Sequence, residues 1–540
     1  MTIGPQRSPG RERLHDGLTA AGQLALYLGL AVMVRWPLSR HTGALSLDPN
    51  TPLHTLVMEN LYRYGALSPV YMVDFPDGHP IQIIGVPFIL LAAAARALLE
   101  TTPAFNVAVT LMVALQGVSA AWLARRLGWR VRGQLVSGVA AIACPYLLHV
   151  AGNGQYENLA FPALALAAAG GLSDDRRVGG ALGFFGLLLA GFSSPYQAVS
   201  AGMLLVLCAA WTGRRQLAVA LLASALAGAP VTAYYLAAID ASQAETSGML
   251  AQPSSGGDGE RVGMVASAGV FDLITPRALF MGRTLPLDAP AERLARLSEA
   301  PARARAGPHW LFADTPQASY LGLALILMGL AGAGVCWRER WSRGAGSAGV
   351  LGAVFALGPK LTLWSGGAGA VALPWAWLSL LPVLGSLSVT YRFLAAPSFF
   401  LVMGAGALAH RAPWPAAPAL AALLLADGLL RAPAPWPVQA RTPALELPDG
   451  VQIDGPVALW PPADALAPQH VHATALSLGQ PMALYWYASG ETPEAWLEGA
   501  REAGVTGLVA FDGLAPAEVE VPLARAAGSC QHAICWWSLE

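Results

Sequence analysis

The run IQIIGVPFILLAAAARALL, Ile81 to Leu99, decides the topology of the whole chain. It approaches the roughly 20 apolar residues that a transmembrane helix needs. Whether it crosses sets the side on which every later loop lies. Immediately before it stands a polar knot, DFPDGHP, Asp74 to Pro80. Each residue before a proline is biased toward extended geometry, and Pro-Asp-Gly favours a turn, so the chain changes direction there.

The surroundings are apolar enough to make crossing the central question. Of 540 residues, 55% are hydrophobic and 12% charged, and mean hydropathy is +0.49. This composition points to a polytopic membrane protein. Net charge is −1, with no basic field of the kind that nucleic acid requires. No Walker loop, dinucleotide-binding glycine fingerprint, HExxH or nucleophile elbow is visible, which argues against nucleotide-driven chemistry.

Arginines orient the spans. The N-terminus, basic through Arg7, Arg11 and Arg13, precedes an apolar run from about Leu18 to Trp36 that carries no small-residue cleavage site and reads as an uncleaved first span. Further runs fall at about 104–124, 133–151, 158–172, 179–193, 196–212, 216–238, 318–336, 346–364, 393–410 and 415–431. Basic clusters follow at Arg125/Arg126/Arg130/Arg132, Arg176/Arg177, Arg214/Arg215, Arg338/Arg340/Arg343 and Arg411. Short basic loops belong in the cytoplasm, and about eleven spans put all of these clusters there. That count holds only if Ile81–Leu99 does not cross. It is therefore expected to lie on or dip into the outer leaflet, with Arg96 reaching toward the headgroups. The proline-broken LPWAWLSLLPVLGSL, Leu373 to Leu387, is read the same way.

The expected architecture is an α-helical polytopic membrane protein. It comprises a cytoplasmic N-terminus (1–17), a transmembrane domain (18–431) with outer loops 37–103 and 239–316, and a C-terminal extracytoplasmic domain (432–540). The tail alternates β-like runs, VALWP, ALYWY, GLVAF and AICWW, with helical patterns such as TPEAWLEGAREAG, where Thr492 suits an N-cap. This alternation suggests a small α/β unit. Cys530 and Cys535, in CQHAIC, read as a disulfide or as free thiols, since two Cys and one His are too few for a closed zinc site.

The order of these pieces resembles bacterial membrane proteins of the GT-C glycosyltransferase superfamily. The resemblance rests on SLDPNTPLHTLVMENLYRYG after the first span, DFPDGHP in the place of a YPEG-like box, and the membrane-lying helix. It continues through AWLARRLG, CPYLLHVAGNGQYENLAFPALAL, FSSPYQAV, ALGPKLTLW, LPWAWLSLLPVLGSLSVTYRFLAAPSFF and, in the tail, REAGVTGLVAFDG. It implies transfer of a sugar from a polyprenyl-phosphate donor, with membrane lipids as surroundings, to an envelope glycan, lipid or protein on the outer face of the bacterial inner membrane. That chemistry needs a base for the acceptor hydroxyl, and cations or a metal for the departing phosphate.

The resemblance maps the base to Asp48, which serves equally as a turn or helix cap. No second acid adjoins it, which weakens a metal-dependent version, although Glu59 lies near in sequence. If a divalent cation such as Mg or Mn takes part, Asp48 and Glu157 are its expected ligands. Glu157 shares the second outer loop with His149, Asn153, Gln155 and Asn158, and an acid bordering a span invites a functional reading or a cap. Asp74, Asp77 and His79 are suspects at the site mouth or simply turn residues. Arg392 and Lys360 are expected phosphate contacts or snorkelling cations, and Tyr196 and Tyr391 are interfacial-belt residues. The competing readings are a lipid or glycolipid transporter, for which Asp427 near a span end is a minor argument, and a non-catalytic GT-C-like scaffold.

Overall fold

A computed structural model of the chain describes residues 9–35, 51–68, 85–152, 156, 159–245, 268–274, 319–363, 371–380, 387, 389–431, 457–460, 482–483, 501–502, 504–511, 528–531 and 534–538. The described helices are α1 (Pro9–Val34), α2 (Thr51–Tyr64), α3 (Val86–Arg96), α4 (Thr101–Arg126), α5 (Val131–Ile142), α6 (Pro145–Gly152), α7 (Phe161–Leu172) and α8 (Arg176–Ser193). They continue with α9 (Pro195–Thr212), α10 (Arg214–Glu245), α11 (Leu323–Val335), α12 (Arg340–Ala356), α13 (Pro374–Leu378), a 3-10 turn (Thr390–Leu394), α14 (Ala395–Arg411) and α15 (Ala416–Arg431).

Among the described residues, 4 helices are long and apolar enough to cross a membrane: Thr101–Arg126, Pro195–Thr212, Arg214–Ala237 and Thr390–Arg411. The pair α5 and α6, bent by 42°, passes the same test together. Pro145 explains the bend, because its ring denies α6 a backbone donor and crowds the preceding turn. Shorter apolar helices include Ala20–Val34, Phe161–Leu172, Leu323–Val335 and Ala416–Gly428. The run expected at 346–364 sits earlier, as α12 (Arg340–Ala356). Gly358 at φ 78 ends that helix in the left-handed region, and Pro359 prevents its resumption.

Polar contacts divide the helix ends into two sets. In one, the Arg130 amide donates to His410 Nδ1 (3.0 Å), and Arg132 Nη2 donates to the His410 carbonyl (3.1 Å). Arg340 pairs with Asp174 and Arg411 with Glu339, each at 2.7 Å. These contacts gather the α4–α5, α7–α8, α11–α12 and α14–α15 turns, so four of the basic clusters meet at one end. In the other set, the Tyr146 hydroxyl donates to the Arg392 carbonyl (3.1 Å), the Val389 amide to the Tyr196 hydroxyl (2.8 Å) and the Ala268 amide to the Ala356 carbonyl (2.9 Å).

Helix α3 is tied at both ends to the second set. The Gly85 amide donates to the Ser193 carbonyl (2.7 Å), at the end of α8. Arg96, on the last turn, reaches Glu59 beside Thr101, where α4 begins. An α-helix rises about 1.5 Å per residue, so this short helix spans from one helix end to another on the same side. Arg96, expected to reach toward headgroups, is 22% exposed and pairs with the buried Glu59 carboxylate (2.8 Å).

Small residues set the closest helix packing. A Cβ on Gly332 of α11 would land on the Gly404 carbonyl of α14, and one on Gly404 would meet the Gly329 carbonyl. Only glycine permits this approach, the usual device of membrane helix pairs. In the C-terminal part, β3 (Val457–Trp460), β4 (Met482–Ala483), β5 (Gly507–Phe511), β6 (Gly528–Gln531) and β7 (Ile534–Ser538) form a sheet of order β4-β3-β5-β7-β6. β3 runs parallel to β4 and β5, and β7 antiparallel to β5 and β6. The backbone register sets Cys530 opposite Cys535. Of the helical run expected from Thr492, residues 492–500 lie outside the described residues, and Arg501 and Glu502 are helical.

Candidate functional site

The polar groups that could do chemistry collect around α3, at the end away from the arginine-rich turns. Arg35, at the end of α1, is 1% exposed. Its guanidinium donates to the Asn106 carbonyl (2.5 Å), to Asn106 Oδ1 (3.0 Å) and to Thr110 Oγ1 (3.0 Å). Beside it, the hydroxyls of Thr51 and Tyr156 share a hydrogen bond of 2.8 Å. Tyr156 stacks on Phe88 of α3 with ring centroids 4.9 Å apart, and His54 meets both rings edge-on. The aromatic face of α3 thus fixes Tyr156, and Tyr156 fixes the start of α2.

Glu59 holds α2 to α3. Its side chain is 2% exposed and accepts from Arg63 Nε (2.6 Å), Arg96 Nε (2.8 Å) and Thr101 Oγ1 (3.0 Å). Burial works to raise its pKa, but the bonds from Arg96, Arg63 and Thr101 outweigh it, so the carboxyl titrates below the ordinary range. The same contact raises the pKa of Arg96. With both oxygens engaged, Glu59 is placed to hold this platform together rather than to assist a neighbouring base.

A second group lies at the Gly85 end of α3. Arg392, on the 3-10 turn, sits with its guanidinium carbon 5.3 Å from the centroid of the Tyr196 ring. Tyr196 belongs to the first turn of α9, whose N-cap is Ser194. The hydroxyls of Ser194 and Ser200 are fully buried and meet no hydrogen-bond partner among the described residues. At this helix start Pro195 carries no N–H and the Gln197 and Ala198 amides donate to the Ser194 carbonyl, so the dipole end of α9 and the Arg392 guanidinium, rather than free amides, favour an anion there. Lys360 lies in the two-residue strand β1 (Lys360–Leu361), opposite Ala372 of β2 (Val371–Ala372), and is half-buried.

Of the residues expected from the sequence, Asp48, Asp74, Asp77, His79 and Glu157 lie outside the described residues. So do the two acids expected to hold a divalent cation. Among the described residues no group of three or more His, Cys, Asp or Glu could hold a metal ion. Asp427 is 7% exposed and spent on structure, accepting from the Ala324 amide (2.7 Å) and the Tyr320 hydroxyl (3.0 Å) at the start of α11.

Sequence reading missed Arg35, Thr51, His54, Asn106 and Tyr156. A signal existed for Arg35, a charge inside the apolar run of the first span. Thr51 and Tyr156 carried none beyond their adjacency to Asp48 and Glu157.

No family model and no curated protein matches the chain. Among solved structures it is similar to the arabinofuranosyltransferase AftD from Mycobacteria, at TM-score 0.48 and 15% identity, over 96% of this chain and 40% of that one. It is also similar to ArnT from Cupriavidus metallidurans in the apo state, at TM-score 0.41 and 14% identity, over 96% of this chain and 98% of that one. The chain thus spans about two-fifths of the length of AftD.

Proposed function

We propose that the chain is a GT-C-like membrane glycosyltransferase that moves a sugar from a polyprenyl-phosphate donor to an envelope glycan, lipid or protein. The observation that carries this reading is the hydrogen bond between Thr51 and Tyr156 (2.8 Å). Consecutive Cα atoms are 3.8 Å apart, so a bond at Thr51 and Tyr156 keeps the segments bearing Asp48 and Glu157 within reach of one another.

In this reading Asp48 takes the proton of the acceptor hydroxyl as its oxygen bonds to the anomeric carbon. The bond between that carbon and the donor's phosphate oxygen breaks, and the electron pair leaves with the phosphate. Arg392 and the N-terminal turn of α9 receive the developing charge, with Lys360 as a further point charge. The buried hydroxyls of Ser194 and Ser200 support an anion there. Asp77 and His79 belong at the mouth, where acceptors arrive. The arginine-rich turns support a cytoplasmic assignment for that end, which leaves α3 and the site outside. The remainder follows: about eleven spans, a cytoplasmic N-terminus, an inner-membrane location and an extracytoplasmic α/β unit over 432–540.

Asp48→Asn tests it, expressed at native level in a strain lacking the chain, with turnover of radiolabelled polyprenyl-phosphate sugars measured in its membranes. Loss of transfer is expected, and Arg392→Gln is expected to weaken donor use. Full transfer by Asp48→Asn overturns the assignment.

A further inference from the structure

At the end of the bundle away from the candidate site, the turn between α11 and α12 faces the end of α14 across a cleft of about 460 Å³. Its lining includes Val335, Cys336, Trp337, Arg338, Glu339 and Arg411. Glu339, the acid in it, is fully engaged: Oε1 accepts from Arg411 Nη2 (2.7 Å) and Oε2 from the Trp341 indole (2.7 Å). Arg411 therefore cancels Glu339, and Arg338 is left in excess. Arg338 is exposed and makes no hydrogen bond or ion pair among the described residues. Trp337 is 58% exposed and Trp414, just beyond α14, is 55% exposed. Arg343 is occupied elsewhere, donating to the Trp337 carbonyl (3.0 Å) and lying 5.1 Å from the Trp211 ring centroid.

We propose that this cleft binds the headgroup of an anionic phospholipid. A positive-inside ring explains exposed arginines at this level, but it does not explain a concave site. Here one guanidinium is uncommitted, a second keeps spare donors, and indole rings stand at the depth where tryptophan meets headgroups. The guanidinium fork matches a phosphodiester, and the exposed side chain of Val335 suits the glycerol and first acyl carbons.

The test uses the full chain in detergent micelles with dioleoyl phosphatidylglycerol or dioleoyl phosphatidylcholine, reading retained lipid by native mass spectrometry. One phosphatidylglycerol should survive activation that strips phosphatidylcholine. Arg338→Gln, which breaks no contact, should lower that retention about 10-fold, the loss of one charge-assisted bond. Trp337→Ala should lower it too, whereas the exposed pair Arg214→Gln and Arg215→Gln, at the same end but outside the cleft, should not. Equal retention by the Arg338→Gln protein, or loss on removing Arg214 and Arg215 instead, overturns the site in favour of a diffuse basic ring. Displacement of the lipid by glycerol phosphate at equal concentration overturns it in favour of a soluble phosphate ligand.

Discussion

Replacing Glu59 by glutamine keeps the shape of the side chain and removes the charge that ties α2 to α3. Two guanidiniums then lose their partner. The Arg63 contact is within α2, from a side chain 37% exposed, and such i,i+4 pairs contribute about 0.5 kcal/mol. The Arg96 contact crosses between helices, from a side chain 22% exposed, onto a carboxylate only 2% exposed. Breaking a fully buried pair costs about 3–5 kcal/mol, but water can reach Arg96, so a cost near 2 kcal/mol is expected. That energy holds a local opening, not the whole bundle. At 1.4 kcal/mol per decade it raises the open population of α3 by about 30-fold. Hydrogen exchange read by mass spectrometry on peptides covering Val86–Arg96 measures it directly. Peptides from α14, which α3 does not support, serve as the internal reference. If exchange over Val86–Arg96 is unchanged, then Phe88, Ile89 and Ala92, all buried, hold the helix by apolar packing alone, and the latch reasoning fails.

The same carboxylate sets a pH response. Because its folded pKa lies below the unfolded value of about 4.3, the latch is at full strength above that value and weakens as pH falls through the lower folded one. Exchange over α3 should therefore rise only in acid, and a rise near neutrality would contradict it. Tyr156→Phe deletes the hydroxyl shared with Thr51, at a cost of about 1 kcal/mol, and should cut transfer while leaving thermal stability in detergent nearly unchanged. Gly404→Val forces a side chain onto the Gly329 carbonyl and should lower stability by about 1–3 kcal/mol in a detergent unfolding assay. Gly334→Ala, which meets nothing within 4 Å, should not. In a cysteine-free background, Leu98→Cys, whose native side chain is 86% exposed, should react with an impermeant reagent in intact cells, and Arg338→Cys only after permeabilisation.

Much of the fold was legible because two signals act over whole segments. Apolar runs long enough to fill a bilayer placed α4, α9, α10 and α14 within a few residues. Arginine clusters grouped the helix ends, and the contacts of Arg130, Arg132, Arg340 and Arg411 bring four of those clusters together. What composition could not show was where a helix stops inside an apolar stretch. Three leucines, Leu357, Leu361 and Leu363, prolong the apolar run in sequence, yet Gly358 and Pro359 end α12 by backbone geometry, and Lys360 falls in a strand.

Site legibility failed in a different way, because pairing is not encoded in spacing. Glu59 looked available as a second acid since it lies near Asp48 in sequence. Its partner Arg96 comes from the far end of another helix, and a reading by neighbourhood sees neither the pairing nor the burial that makes it necessary. Asp427 misled similarly: an acid near a span end reads as a relay group until the Ala324 amide and Tyr320 hydroxyl arrive from α11 and its approach. Arg35 is the converse, a charge inside the first apolar run that is among the most buried side chains, its two terminal nitrogens donating to Asn106 and Thr110 of α4. In each case the charge was visible and its partner was not, because desolvation must be compensated locally in space by whatever chain passes there. Arg392 was the more readable, since a cation before an apolar helix is held near the interface by the span itself. Its neighbour Tyr196 comes from FSSPYQAV, almost two hundred residues earlier in the chain, and only the folded contact between them makes that motif part of a site.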